Sequence, residues 1–323
     1  MLWDFSIGRT FAIMARTWPY LALRMAIYFA ITLAYMLAIG GGGAIGYGVG
    51  HISGDPEGPA GFAFGGGIVG FVLVSGIVYW LREWILYMVK AGHVAVMVHL
   101  IEGRDIPGGR GQVDYGRAIV TERFTEANVL FALDQLVKGA LRAITGLIGG
   151  IAAFIPIPGL DSLVRFVNAI IRMSLTFVDE IVLGLIVREN SANPWETAQR
   201  GIVLYGQNAK VMVRNAIWLT VLSWILSLIV FLVVIAPAGA LLYFAPGQSG
   251  GWAFVAAIVF AWAVKAALIE PFAIAALMEV YFRVTEGQTP DPVWSRRLSE
   301  ASRQFRELGE KALAWIRGAP RPA

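Results

Sequence analysis

The 323-residue chain is 57% apolar and 15% charged, against roughly 45–50% and about 25% in a soluble domain, so its composition fits lipid as solvent. It has no cysteine, which excludes disulfides, iron–sulfur clusters and thiolate catalysis. Its net charge is +4, but the basic residues flank apolar runs instead of forming a patch, so no nucleic-acid partner is expected.

Residues 1–18 predict an interfacial helix. Trp3, Ile7, Phe11, Met14 and Trp18 form one apolar stripe, with Arg9 and Arg16 opposite. The run from Leu21 to Val49 is too long for a secretory signal, and no A-x-A site closes it, so it reads as an uncleaved first span. A second span covers Gly61 to Leu81. The loop between, His51 to Ala60, carries Asp55 and Glu57 but no Lys or Arg.

Residues 82–138 read as a basic, helical cytoplasmic region. GRDIPGGRGQ (103–112) is a loop by its Gly and Pro content, and Val120, Phe124, Ala127 and Phe131 mark an amphipathic helix after it. A third span covers Gly139 to Ile157 and a fourth returns from Leu163 to Val187, around the rigid turn IPIPG (155–159). The alternative for this pair is a re-entrant hairpin.

NPWE (193–196) starts a cytoplasmic helix, with Asn193 as cap, Pro194 in the first position and Glu196 able to complete a capping box. The fifth span is Asn215 to Ala236. The sixth is Trp252 to Phe282, where Pro271 predicts a kink. Asp291 and Pro292 open a C-terminal helix over 292–317. Its Leu298, Ala301, Phe305, Leu308, Ala312 and Trp315 form an a/d seam, flanked by Arg303–Glu307, Arg306–Glu310 and Glu307–Lys311. That seam fits either a homo-oligomer or packing on the chain's own cytoplasmic region.

The expected architecture is all-α: a single integral membrane domain over 1–323, about six spans in three hairpins, with amphipathic interfacial and cytoplasmic helices. With both termini cytoplasmic, every Lys and Arg except Arg165, Arg172 and Lys265 falls on the cytoplasmic side. This places the chain in the plasma (inner) membrane, with the lipid bilayer as its first partner.

Polar groups inside the spans are the candidate site. Arg172, Asp179, Glu180 and Asn168 lie on the fourth span, and Lys265 and Glu270 on the sixth. Each ionised group at a span centre costs about 2.5–3.5 kcal/mol on insertion scales, so each needs a partner. Comparable depth pairs Arg172 with Glu270, and Lys265 with Asp179 or Glu180. These groups either hold the helices in register or line a path for a solute or ion. Trp218, Trp224, Trp252 and Trp262 fit interface belts or, with a carboxylate, a cage for a quaternary ammonium. Gly42, Gly46 and Gly50, with Gly61, Gly65, Gly66 and Gly70, offer small faces for close helix approach. No Ser/His/Asp constellation or metal-ligand cluster is visible, His93 and His99 being six apart. Neither an enzyme nor a cofactor is expected.

The stretches AQRGIVLYGQNAKVMVRNAIWLTVLSWILSLIV (198–230) and AIAALMEVYFRVTEGQTPDP (273–292), followed by the charged helix from Arg296 to Trp315, resemble the choline transporter-like family in layout. The resemblance covers the C-terminal half and assigns no individual residue. It implies a polytopic helical fold and movement of a small polar or cationic solute. The rival expectation is a non-transporting oligomeric scaffold or accessory subunit presenting its amphipathic helices to partners. An oligomeric channel is the third.

Overall fold

The computed structural model describes residues 3–52, 58–106, 111–123, 127–153, 177–244 and 249–318. Among them are eleven α-helices and no strand: α1 Ile7–Arg16, α2 Trp18–Ile52, α3 Gly58–Ile101, α4 Gln112–Arg123, α5 Ala127–Ala153, α6 Val178–Arg188, α7 Pro194–Gln207, α8 Ala209–Phe244, α9 Ser249–Val284, α10 Pro292–Ala301 and α11 Arg303–Gly318. The chain divides into two compact units. The first comprises Met1–Thr17, Lys90–Trp224 and Pro271–Ala323; the second comprises Trp18–Val89 and Ile225–Glu270.

Four helical segments are long and apolar enough to cross a membrane: Trp18–Ile52, Gly58–Ile77, Ala209–Ile235 and Phe260–Val284. They correspond to the first, second, fifth and sixth predicted spans. The first three leave most of their surface uncovered, with Leu37, Phe64, Leu73, Leu228 and Val233 all exposed. So continuous an apolar surface is unfavourable in water and at home in hydrocarbon. Pro271 lies inside α9, which continues past it to Val284.

In the second unit, α2 and α3 form a hairpin closed by glycines. A Cβ on Gly66 would fall inside contact with the Gly42 carbonyl oxygen and 3.2 Å from the Gly46 Cα. A Cβ on Gly50 would meet the Pro59 Cα at 2.6 Å. Backbone thus packs on backbone, the arrangement that small residues spaced by four allow. The face on α3 is only partly the predicted one. Gly66 and Gly70 are at the contact, whereas a Cβ on Gly61 or Gly65 would meet nothing within 4 Å.

The first unit corrects several expectations. The stretch from Leu163 to Val187 does not run as one helix. Its part up to residue 176 lies outside the described residues, and α6 begins afresh at Val178 after Phe177 turns the chain (φ −110°, ψ 6°). Asp179 and Glu180 fall in the first turn of α6, where exposed N–H groups favour carboxylates. α6 has 11 residues, all but Asp179 and Arg188 buried, and packs on α5 and α7. The predicted third span falls on α5, where Ala140, Leu141 and Ile144 are buried within this unit; residues 154–157, and the turn that would make the pair re-entrant, lie outside the described residues. The amphipathic helix expected through Val120 to Phe131 falls on the end of α4 and the start of α5, and residues 124–126 between them lie outside the described residues.

The caps follow the sequence closely. Asn193 Oδ1 accepts from the Glu196 N–H at 3.3 Å, and Asp291 Oδ1 from the Val293 N–H at 2.6 Å. Glu196 does not complete a capping box. Its carboxylate accepts from Asn193 Nδ2 instead, while the Asn193 N–H donates to Ser191 Oγ at 3.2 Å. The predicted C-terminal helix breaks at Ser302, which is extended (φ −134°, ψ 119°). Ser302 Oγ then caps α11 by accepting from the Phe305 N–H at 3.1 Å, a competition with helix continuation that serine often wins. The seam residues Leu298, Phe305, Leu308 and Ala312 are buried. α11 lies on α5 and α7, fixed by Trp315 Nε1 donating to the Ala192 carbonyl at 2.9 Å. The seam is therefore used within the chain. Of its flanking pairs, Glu307–Lys311 forms at 4.0 Å, while Arg306 turns to the Ser299 carbonyl.

α1 buries Thr10, Ile13 and Met14, whereas Phe11 and Trp18 of the predicted stripe are exposed. Arg9, expected to face lipid headgroups, instead donates to the Ile101 carbonyl at 2.7 Å and lies 3.4 Å from Glu279. Arg16 pairs with Asp105. The segment before α1 is tied down as well. The Asp4 N–H donates to Asn215 Oδ1 at 2.6 Å and Asn215 Nδ2 donates back to Asp4 Oδ2 at 2.7 Å, with Trp3 packed on Trp218. Partners within the protein hold this helix in place.

Candidate functional site

The second unit holds a charged centre on its own helices. On α2, Tyr20, Arg24, Tyr28 and Thr32 recur every four residues and are all buried, one polar stripe along an otherwise apolar helix. On α9, Ala263, Ala266 and Ala267 precede Glu270 at helical spacing. With Tyr28 and Leu86 these alanines form a small core. Their short side chains let Tyr28 lie close, so that its hydroxyl donates to Glu270 Oε2 at 3.4 Å. Arg24 Nη2 reaches the same oxygen at 3.4 Å, with the Arg24 side chain 1% exposed and that of Glu270 33%. Among the described residues, Arg24 Nε has no hydrogen-bond partner. Trp262 meets Tyr28 edge-on, with ring centroids 6.1 Å apart. A partly open carboxylate thus accepts from the hydroxyl of one tyrosine, while Trp262, eight residues earlier on α9, packs on that tyrosine's ring; the counter-ion of the carboxylate is wholly buried.

The first unit holds a second centre. Lys138 Nζ lies 2.7 Å from Asp134 Oδ2 and 3.4 Å from Asp179 Oδ2, and Lys90 Nζ lies 3.5 Å from Glu180 Oε1. Asp134 and Lys138 share a face of α5 as an i,i+4 pair. Burial raises the Asp179 carboxyl well above its ordinary value, and the neighbouring Glu180 charge adds to this. Asp134 is also raised, by burial against the opposing pull of Lys138. Burial acts upward on Glu180 too, but hydrogen bonding with Asp179 and the Lys90 charge outweigh it, and the net shift is downward. Burial alone would lower Lys138; the charges of Asp179 and Asp134 reverse that, so its ammonium stays protonated.

No protein-family model, curated protein or solved structure matches this chain.

The candidate residues are thus distributed differently from the sequence expectation. Asp179 and Glu180 have Lys138 and Lys90 as partners in place of Lys265, and Glu270 has Arg24. Arg172 and Asn168 lie outside the described residues, as does Arg165. Lys265 is exposed on α9. Trp224 is exposed and Trp218 packs on Trp3, neither of them beside a carboxylate in a cage; the Trp252 side chain lies outside the described residues. Among the described residues, no group of three or more His, Asp or Glu is placed to hold a metal ion. Sequence reasoning missed Arg24, because it lies near the cytoplasmic end of the first span and was counted with the flanking basic residues. The four-residue repeat of Tyr20, Arg24, Tyr28 and Thr32 was the signal available. It also passed over Lys90, Asp134 and Lys138, which read as ordinary cytoplasmic charges.

Proposed function

We propose that this chain is a transporter-like multi-pass membrane protein that binds a small polar or cationic solute at Glu270. The observation that carries this reading is the Glu270 carboxylate, one-third exposed and accepting from the Tyr28 hydroxyl, on helices able to cross a membrane. A partly exposed carboxylate attracts a cation by charge. The 3.4 Å contact with Arg24 is longer than the roughly 2.7–2.9 Å of a close charge-assisted bond, so a solute cation can compete with Arg24 for the same oxygen. The resemblance in layout to the choline transporter-like family is in line with a cationic solute. On this reading the chain crosses the plasma (inner) membrane with Trp18–Ile52, Gly58–Ile77, Ala209–Ile235 and Phe260–Val284, and both termini are cytoplasmic as the basic residues are distributed.

A second reading, the non-transporting scaffold, is favoured by one observation: Asp179, Glu180 and Glu270 already have counter-charges within the chain. Equilibrium binding of radiolabelled choline to the protein in nanodiscs separates the two. The Arg24→Gln/Glu270→Gln double variant strands no charge and is expected to stay folded. It should bind choline at least about tenfold more weakly than wild type, a loss of about 1.4 kcal/mol. Undiminished affinity in the folded double variant overturns the assignment to Glu270. Absence of choline binding in the wild type favours the scaffold.

A further inference from the structure

Among the described residues, the charges of the centre in the first unit do not balance. Asp134, Asp179 and Glu180 contribute three carboxylates, and Lys90 and Lys138 two ammonium groups, so full ionisation leaves one net negative charge. The carboxylates are deeply buried, their side chains 2%, 9% and 8% exposed. Each also has one oxygen with no hydrogen-bond partner among the described residues: Asp134 Oδ1, Asp179 Oδ1 and Glu180 Oε2. A buried carboxylate lacking a partner is costly, and carboxylates crowded together resolve that cost by retaining a proton. Lys138 faces Asp179 and Asp134 while leaving 41% of its own side chain exposed, so the centre is in touch with its surroundings.

We propose that Asp134, Asp179 and Glu180 together bind one exchangeable proton, making this centre a proton-binding site. The proposal does not depend on the solute assigned to Glu270.

The groups facing the site come from three helices. α5 supplies Asp134 and Lys138, α6 supplies Asp179 and Glu180, and α3 supplies Lys90, with the buried His93 one turn further along. α7 packs on both α5 and α6, with Arg200 engaged by Glu189 and Glu196 by Asn193; α10 (Arg296, Arg297, Glu300) and α11 (Arg303, Arg306, Glu307, Glu310, Lys311, Arg317) pack on α5, and among the described residues none of these groups forms an ion pair with the three carboxylates. The upward shifts of Asp179 and Asp134, set against the downward shift of Glu180, place the proton on the aspartates with Glu180 as an ionised acceptor. The proton is held more tightly in the folded chain than in the unfolded one. Its contribution to stability is therefore complete below the ordinary aspartate value and is lost as pH rises from there through the raised Asp179 value.

Two readouts on the full chain test this. The infrared spectrum at neutral pH should contain a protonated-carboxyl C=O band that disappears in Asp179→Asn and shifts in Asp134→Asn. The thermal unfolding midpoint of the wild type should fall as pH rises through that window, and the slope should be visibly flatter in Asp179→Asn, which mimics the protonated form and strands no charge. Absence of the band in the folded wild type overturns the proposal, since a positive charge from His93 or from a residue outside the described segments then balances the centre. So does a midpoint raised by sodium at constant pH, which makes a metal cation the occupant.

Discussion

Glu270→Gln is expected to destabilise the protein by about 3–5 kcal/mol, the range found when one partner of a buried ion pair is removed. The cost arises on the other side of the pair. Arg24 is 1% exposed and its guanidinium would be left in an apolar unit without its carboxylate. Arg24→Gln should cost less, because the carboxylate it abandons is one-third exposed and still receives the Tyr28 hydroxyl. The double variant should recover much of the loss, a positive coupling that a double-mutant cycle isolates. Denaturant or thermal unfolding in detergent measures all three. If Glu270→Gln proves as stable as the wild type, Glu270 is not the counter-charge that keeps Arg24 buried.

Gly66→Val is expected to cost ~3 kcal/mol, the upper end for overpacking, or to prevent the α2–α3 hairpin from closing. The new side chain would meet the Gly42 carbonyl and lie 3.2 Å from the Gly46 Cα, and backbone atoms cannot rotate away. Gly65→Ala is the control. Its Cβ meets nothing within 4 Å, so it should be neutral or stabilising by up to about 1 kcal/mol through helix propensity. Equal losses in both variants, read from thermal midpoints, would contradict the backbone contact at Gly66.

Much of this architecture was legible from periodicity. Four predicted spans coincide with four long apolar helices, because an uninterrupted apolar run leaves a chain few alternatives in lipid. The caps at Asn193 and Asp291 were legible because Asx before Pro fixes a helix start locally. The candidate site was much less so. Depth along a span fixes only one coordinate, so it could suggest Lys265 for Asp179 but not find Lys138 and Lys90, which come from helices that read as cytoplasmic. The rotation of each helix was missing. Rotation is set by tertiary contacts such as the Ala263–Ala266–Ala267 face against Tyr28. The same reason accounts for α1, where Thr10 and Ile13 are buried, Phe11 stays half-exposed against Phe272, and Arg9 finds Glu279 and the Ile101 carbonyl.

Uptake of radiolabelled choline into proteoliposomes tests the proposed function most directly. The account predicts saturable uptake by the wild type, reduced at least about tenfold, or about 1.4 kcal/mol, in folded Arg24→Gln/Glu270→Gln protein reconstituted at equal density. Uptake by the wild type no faster than by empty liposomes, or uptake undiminished in the double variant, would contradict it.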